Sequence, residues 1–406
     1  MISVAEARAR ILAALEPLPT QSLPLARAHG RVLAAAPKAA WNQPPCDVSA
    51  MDGYAVRVAD IARIPVTLAR GETIQAGAMP TRRLRPGEAA RIFTGAPLPH
   101  GADTIVIQED TRAAAEGVIE ILVEAKPGQH IRRAGLDFRT GEALRPAGAL
   151  LTARDLALLA AAGIGEVTVH AVPEIAIIAT GDELVMPGEV PHGAQIVASS
   201  AVGLAAQIEA HGGRARFIGI ARDTAASLRH CLAAAQGADI IVTLGGASVG
   251  EYDIIREVLA PEGLALDFWK IAMRPGKPLM FGALNATPFL GLPGNPVSTL
   301  VCSHLFLVPA LKRLQGMTAS EPFSIAARCA VALPANGPRE DYMRASLRSL
   351  PGEPLPEIVP FDIQDSSMLS RLAAADALLL RPPRAQASMP GALVTALPLR
   401  GGARSS

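Results

Sequence analysis

The sequence predicts a multidomain protein of the α/β plus β class, with a doubly wound α/β unit beside separate β-rich units. Three observations lead there. At 406 residues the chain exceeds one ordinary hydrophobic core and points to about two to four folding units. Hydrophobic residues make up 50% of it against 18% charged, enough apolar side chain to bury and no basis for global disorder. The period of the apolar residues also changes along the chain, and each change marks a new unit.

In chain order, Ser3-Val-Ala-Glu6 has capping-box spacing and opens an alanine-rich helical run to about Leu15. Residues 41–135 read as a β-rich insert, with short apolar runs at 104–108 and 118–123 broken by glycine and proline. A second capping signal, Thr152-Ala-Arg-Asp155, precedes a helix at 156–162, so 1–40 and 136–172 are expected to form one discontinuous helical and mixed unit. From Pro173 to residue 318, apolar runs without alternation (175–180, 240–244, 279–281 and 288–292) read as strands buried on both faces. Helical stretches at 202–211, 224–235 and 252–259 lie between them, which predicts a parallel sheet with right-handed crossovers. Residues 319–406 return to short strands (325–333, 343–350, 377–380), with a proline-rich break at 351–360.

Composition excludes several classes of function. The formal net charge is +1 and aromatic residues are 3%, so neither a polyanion-binding surface nor a base-stacking platform is expected. Cys46, Cys231, Cys302 and Cys329 form no CxxC pair, which argues against a zinc knuckle or a thioredoxin-type site. No histidine pairs with another at ligand spacing. The N-terminal residues lack a signal-peptide pattern, and the longest apolar runs (150–164 and 297–311) are short or interrupted by Arg154, Asp155 or His304. A cytoplasmic protein with no membrane span is expected.

In a doubly wound sheet, ligands bind beyond the carboxyl ends of the strands, so the loops there carry the chemistry. They are Thr180-Gly181-Asp182-Glu183, then Gly245-Gly246-Ala247-Ser248-Val249-Gly250-Glu251 with Asp253, and Pro293-Gly294-Asn295-Pro296. Lys270 and Arg274-Pro275-Gly276-Lys277 precede the third strand. Glycines let backbone N–H groups approach an anion. Asn295 and Pro296 suit the N-cap and first position of a helix, whose partially positive end would face the same edge. Glu183, Asp223 and Asp253 would repel an anion unless a divalent cation lay between, and Mg2+ takes one or two carboxylates plus phosphate oxygens. The loop 245–250 has Walker A spacing, but Glu251 stands where the lysine must be, which excludes a P-loop.

Outside this unit, 49–55 (SAMDGYA) and 92–97 (IFTGAP) sit on expected loops of the insert. Together with 179–184 (ATGDEL), 245–253 (GGASVGEYD), 274–278 (RPGKP) and 291–298 (GLPGNPVS), they resemble the molybdopterin molybdenumtransferase family of bacterial MoeA and the gephyrin E domain. The resemblance is collinear over essentially the whole chain. It implies an elongated four-domain protomer with a barrel-like C-terminal domain, forming a homodimer whose sites are shared between subunits. It also implies insertion of molybdate into adenylylated molybdopterin with release of AMP, magnesium being required.

Residue by residue, the resemblance assigns Glu183, Asp223 and Asp253 to magnesium and the nucleotide phosphates, and Lys270 to the site. It also implies that Asp52 and Thr94 face the site of the other subunit, and that Lys277, Arg344 and Ser366 form an oxyanion pocket for molybdate. Gly245, Gly246, Ser248, Arg274, Pro293, Asn295 and Pro296 belong to the substrate-binding loops. Three departures stand out: Arg274 replaces the family's usual lysine, Ser200 ends a stretch where relatives carry asparagine, and Asp365 replaces a glycine. Two other readings stay open: the preceding adenylyltransferase, and a non-catalytic cofactor-binding scaffold. The adenylyltransferase and recipient molybdoenzymes are expected protein partners; no nucleic acid or membrane is.

Overall fold

A strand such as Glu-Ile-Ala-Ile-Ile-Ala-Thr carries no polar alternation, so both its faces must be covered. The computed structural model, which describes residues 1–246, 254–318 and 321–399, places this strand inside a six-stranded sheet. We label its strands β1 (Glu174–Thr180), β2 (Arg214–Ala221), β3 (Ile240–Leu244), β4 (Leu264–Phe268), β5 (Met280–Leu284) and β6 (Thr287–Leu292). Their spatial order is β2-β1-β3-β6-β5-β4. Helices α1 (Ser199–Ala210), α2 (Ala225–Ala234), α3 (Ile254–Leu259) and α4 (Pro296–Cys302) connect or follow them.

Alternate residues of β1 serve opposite cores. Ile175 and Ile177 pack with Leu204 and Ile208 of α1, whereas Ala176 and Ile178 pack with Leu228 and Leu232 of α2. Each fully buried aliphatic side chain here is worth about 1.5–3 kcal/mol, so helices are held on both faces.

The sheet is not wholly parallel. β2, β1, β3 and β6 run parallel, but β5 and β4 are antiparallel additions. Asn285 and Ala286 join β5 to β6 with φ of 48° and 71°. A two-residue link with positive φ at both positions is a hairpin turn, too short for a crossover. The edge strands β2 and β4 escape a search for continuous apolar runs because charge interrupts them. Arg214 and Arg216 of β2 pair with Glu174 at 3.2 and 2.9 Å, and Asp267 of β4 pairs with Arg10 at 3.0 Å.

The two capped helices do not pack together. Helix Val4–Ala13 buries Val4, Ala7 and Ile11 in the α/β core, against the helix Val308–Leu314. Helix Ala153–Ala161, which has a complete capping box from Thr152 and Asp155, covers a separate small core with Leu33, Leu151 and Val169. That core rests on Thr20–Pro24 paired antiparallel with Glu166–His170. Between these halves, six strands of the insert form one sheet, including Gly53–Val56, Val66–Ile74 and Glu88–Ile92.

In the C-terminal region, Glu340–Arg348, Glu357–Pro360, Ile325–Cys329, Leu393–Pro398 and Ala377–Arg381 pair in sequence. The last pairs back to the first and closes a five-stranded barrel. Met273–Arg274 adds alongside Glu340–Asp341, stitching the barrel to the α/β unit.

Residues Pro296–Leu314 form one helix that is long and apolar enough to cross a membrane, yet 78% of its apolar window is buried within the protein. A π-helical turn at Ser303–Leu307 interrupts it and carries His304, which is partly buried at the edge of the core. Burial, with His211 and Lys312 nearby, pushes the His304 imidazole down from 6.5 to about 4. The unfolded chain therefore takes up this proton first, so stability present above about 6.5 is lost as pH falls toward about 4. The expected loss is on the order of 3 kcal/mol, read as a falling urea midpoint across that window. His304→Gln is expected to flatten this part of the profile.

Candidate active site

A cleft of about 1040 Å³ opens beyond the carboxyl ends of β1, β3 and β6. Its walls are Thr180, Gly181 and Glu183 after β1, Gly245 and Gly246 after β3, and Pro293, Gly294, Asn295 and Pro296 after β6. The start of α1 (Ala198 to Ala201), Asp223, Glu257 and Ser367 complete it.

Backbone contacts hold these loops together. The Gly245 N–H donates to the Leu292 carbonyl at 3.0 Å, and the Thr180 hydroxyl donates to the Leu244 carbonyl at 3.1 Å. Gly245 has φ of 95°, and a Cβ there would lie 2.9 Å from both the carbonyl and hydroxyl oxygens of Thr180. Glycine is thus required for conformation and for room. The two serine hydroxyls and free N–H groups at the start of α1, which lacks a side-chain cap, add donors to the same wall.

The carboxylates come from two loops. Gly181 has φ of 144°, and a Cβ on it would meet Glu183 Oε2 at 2.4 Å, so the Glu183 carboxylate folds back over the glycine at the cleft. The Asp223 N–H donates to Asp182 Oδ1 at 3.1 Å, which ties the Asp223 loop to that of Glu183. Among the described residues no three metal-binding side chains gather at liganding distance. Asp253 and Ser248 lie outside the described residues.

The expected cations are arranged differently. Arg274 forms an ion pair with Asp341, a buried residue of the barrel, and does not line the cleft. Lys270 holds its ammonium 4.3 Å from the Trp269 ring centre, also away from the lining. Lys277 is exposed beside Pro278, which does line the cleft.

Arg344 is 0% exposed, and burial lowers the pKa of its guanidinium. Its Nη2 donates to the Asp365 carbonyl at 2.9 Å, and its Nε has no partner. It braces the loop beneath the cleft instead of lining it. Asn295 is the N-cap of α4 with Pro296 following, but its side chain does not cap the helix. Its Nδ2 donates to Ser366 Oγ at 2.9 Å, tying the barrel to the cleft mouth.

Asp52 and Thr94 meet each other but not this cleft. The Thr94 N–H and hydroxyl donate to Asp52 Oδ1 at 2.8 and 2.9 Å, which with the nearby Arg91 guanidinium holds the carboxyl below its usual range. Arg91 itself sits over the Tyr54 and Phe93 rings at 5.3 and 4.8 Å.

Three family descriptions lie end to end on the chain. "MoeA N-terminal region (domain I and II)" matches residues 2–163, "Probable molybdopterin binding domain" 176–313 and "MoeA C-terminal region (domain IV)" 326–399. A molybdopterin molybdenumtransferase of Nostoc sp. is 39% identical over 342 residues, 82% of this chain and 78% of that one. The chain belongs to the molybdopterin molybdenumtransferase family. The relative of that name from Haemophilus influenzae is 38% identical over 320 residues, 78% of each chain. A solved molybdopterin biosynthesis moea protein from Pyrococcus horikosii superposes with a TM-score of 0.84 at 30% identity, covering 99% of this chain and 100% of that one.

The departures from the family pattern have local explanations. Arg274 spends its charge on Asp341. Asp365 accepts the Ser367 hydroxyl and N–H at 2.6 and 2.8 Å; these bonds, more than the Arg344 charge, hold its pKa low. Ser200 lies in the first turn of α1 on the cleft wall. Sequence reasoning missed one further cleft group, Glu257 on α3, and also Arg222, which bonds to carbonyls of the Glu183 loop without lining the cleft. Glu257 follows the glycine loop by one helical turn, a spacing legible in retrospect.

Gly245→Ala is expected to lower stability by about 1–3 kcal/mol, read from a denaturant midpoint that falls at unchanged slope.

Proposed function

We propose that the chain inserts molybdate into adenylylated molybdopterin, releasing AMP and yielding the molybdenum cofactor. The observation that carries this reading is one cleft where Gly246 and the first turn of α1 offer N–H groups and serine hydroxyls beside the carboxylates of Glu183 and Asp223. Such a site suits a phosphate-bearing ligand with a divalent cation between anion and acid. The described lining holds carboxylate, hydroxyl and backbone oxygen but no histidine or cysteine, a donor set that fits magnesium and not a softer metal. Glu183 and Asp223 would hold the ion, joined by Asp253 if the family resemblance carries over to it. When bound, magnesium neutralises phosphate oxygens and stabilises charge on the departing AMP.

The protein's part is positional and electrostatic. The glycine loops seat the phosphates without side-chain clash. Ser366, held by Asn295, and Lys277 at the rim present a hydroxyl and an ammonium to molybdate, a tetrahedral dianion. Arg344, braced behind Asp365, fixes that loop and adds positive potential through it. Lys270 stays with Trp269 and has no direct task in this reading. The Asp52–Thr94 unit of a second copy would close the cleft, making the homodimer the active form.

The adenylyltransferase alternative predicts ATP consumption with molybdopterin alone. The insert and C-terminal barrel, each matched by its own family description, weigh against it because that enzyme class usually lacks both. The deciding experiment incubates purified protein with adenylylated molybdopterin, magnesium and molybdate, and measures AMP and cofactor together. Stoichiometric AMP and cofactor are expected, with kcat/KM falling roughly 100-fold in Glu183→Gln. Ligand binding without AMP release would favour a scaffold.

A further inference from the structure

The backbone around Glu183 is held in an unusual way. Arg222 Nη1 lies 3.0 Å from the Asp182 carbonyl, 3.0 Å from the Leu184 carbonyl and 3.4 Å from that of Gly181. Two hydrogens on Nη1 serve three acceptors, so the longest contact shares one of them. The remaining carbonyl, that of Glu183, accepts from the Ile196 N–H at 2.9 Å. All four carbonyls from Gly181 to Leu184 are therefore engaged, three of them by one guanidinium group.

The other groups of this loop are anchored too. The Gly181 N–H donates to the Ala221 carbonyl at 3.1 Å, and the Ala198 N–H donates to the Val185 carbonyl at 2.9 Å. Arg222 is fixed in turn by its own N–H, which donates to Ser227 Oγ on α2 at 2.9 Å. Its neighbour Asp223 is tied to Asp182. With all four of its carbonyls engaged, the loop holds the Glu183 carboxylate over Gly181, in the cleft that Asp223 also lines.

From this geometry we infer that Arg222 is the positioning residue of the acidic pair. It holds Glu183 and Asp223 in register for the divalent cation and phosphates, and its charge offsets the repulsion among Asp182, Glu183 and Asp223. The inference rests on the functional reading above for its cation, and on hydrogen bonds alone for its loop. Arg222 touches no reacting group, so it is not a catalytic residue. Lysine at this position keeps the charge but not the planar fork, and serves the same carbonyls less well.

Two measurements on the full-length protein separate these parts. In ligand-free hydrogen exchange, Arg222→Ala is expected to speed exchange of the Gly181, Ile196 and Ala198 amides by roughly 10-fold or more. The hydrogen bonds of the barrel should exchange as in the parent protein. In the AMP-release assay, the magnesium concentration for half-maximal rate is expected to rise roughly 10-fold, with kcat at saturating magnesium changed far less and Arg222→Lys intermediate. Should Arg222→Ala fail to fold, Arg222→Lys carries the same comparison.

Unchanged exchange at those three amides overturns the inference. Faster exchange with an unchanged magnesium requirement overturns its functional half. A parent protein that releases no AMP would instead refute the functional reading, and the exchange result would still decide the role of Arg222 in the loop.

Discussion

Everything about the cleft follows from a strand covered on both faces. Because side chains alternate along β1, Ile175 and Ile177 enter one core while Ala176 and Ile178 enter the other. With helices on both sides, the strand ends are the places where polar backbone can emerge. The parallel register of β2, β1, β3 and β6 then brings several loop starts to one edge. A one-residue slip in β1 would turn apolar and small residues to the wrong cores and scatter the loops.

Once the loops converge, close approach decides their residues. Gly245 packs against the Thr180 carbonyl, and a Cβ on Gly294 would lie 3.4 Å from the Gly245 Cα. The C-terminal barrel is held to this edge by three polar links of different kinds. They are the Arg274–Asp341 ion pair, the bond from the Asn295 side chain to the Ser366 hydroxyl, and the bond from the Val297 N–H to the Ser366 carbonyl at 3.2 Å. The first two use side chains that the family resemblance assigns to ligand. Their charge and donors are spent on joining domains, so the cleft of one chain is richer in acid and backbone N–H than in free cation. A magnesium ion and a second copy's insert would redress that balance under the proposed function.

Some of the site was legible and some was not. The glycine-bearing loops after β1, β3 and β6 stood out because short apolar runs ending in glycine mark buried strands and their turns. Glu183 followed from the first of these loops, whereas Asp223, beyond the hidden strand β2, was assigned through the family resemblance; both line the cleft. The hairpin of β5 and β6 was written in the two-residue Asn285-Ala286 link but was masked by the strand-and-helix rhythm around it. The edge strands β2 and β4 were hidden because their exposed positions tolerate charge.

By itself the sequence determined the buried strands of the α/β unit and the glycine-bearing loops that follow them. Those features depend on periodicity over 6 to 12 neighbouring residues, as in β6 and α1. Tertiary structure alone decided where the long charged side chains spend their charge. Arg222 reaches carbonyls 38 to 41 residues away, and Arg274 pairs with a carboxylate 67 residues on. It also decided that the first helix joins the α/β core. A flexible cationic side chain is satisfied by whichever acceptor lies nearest in space, and chain spacing carries no record of that distance.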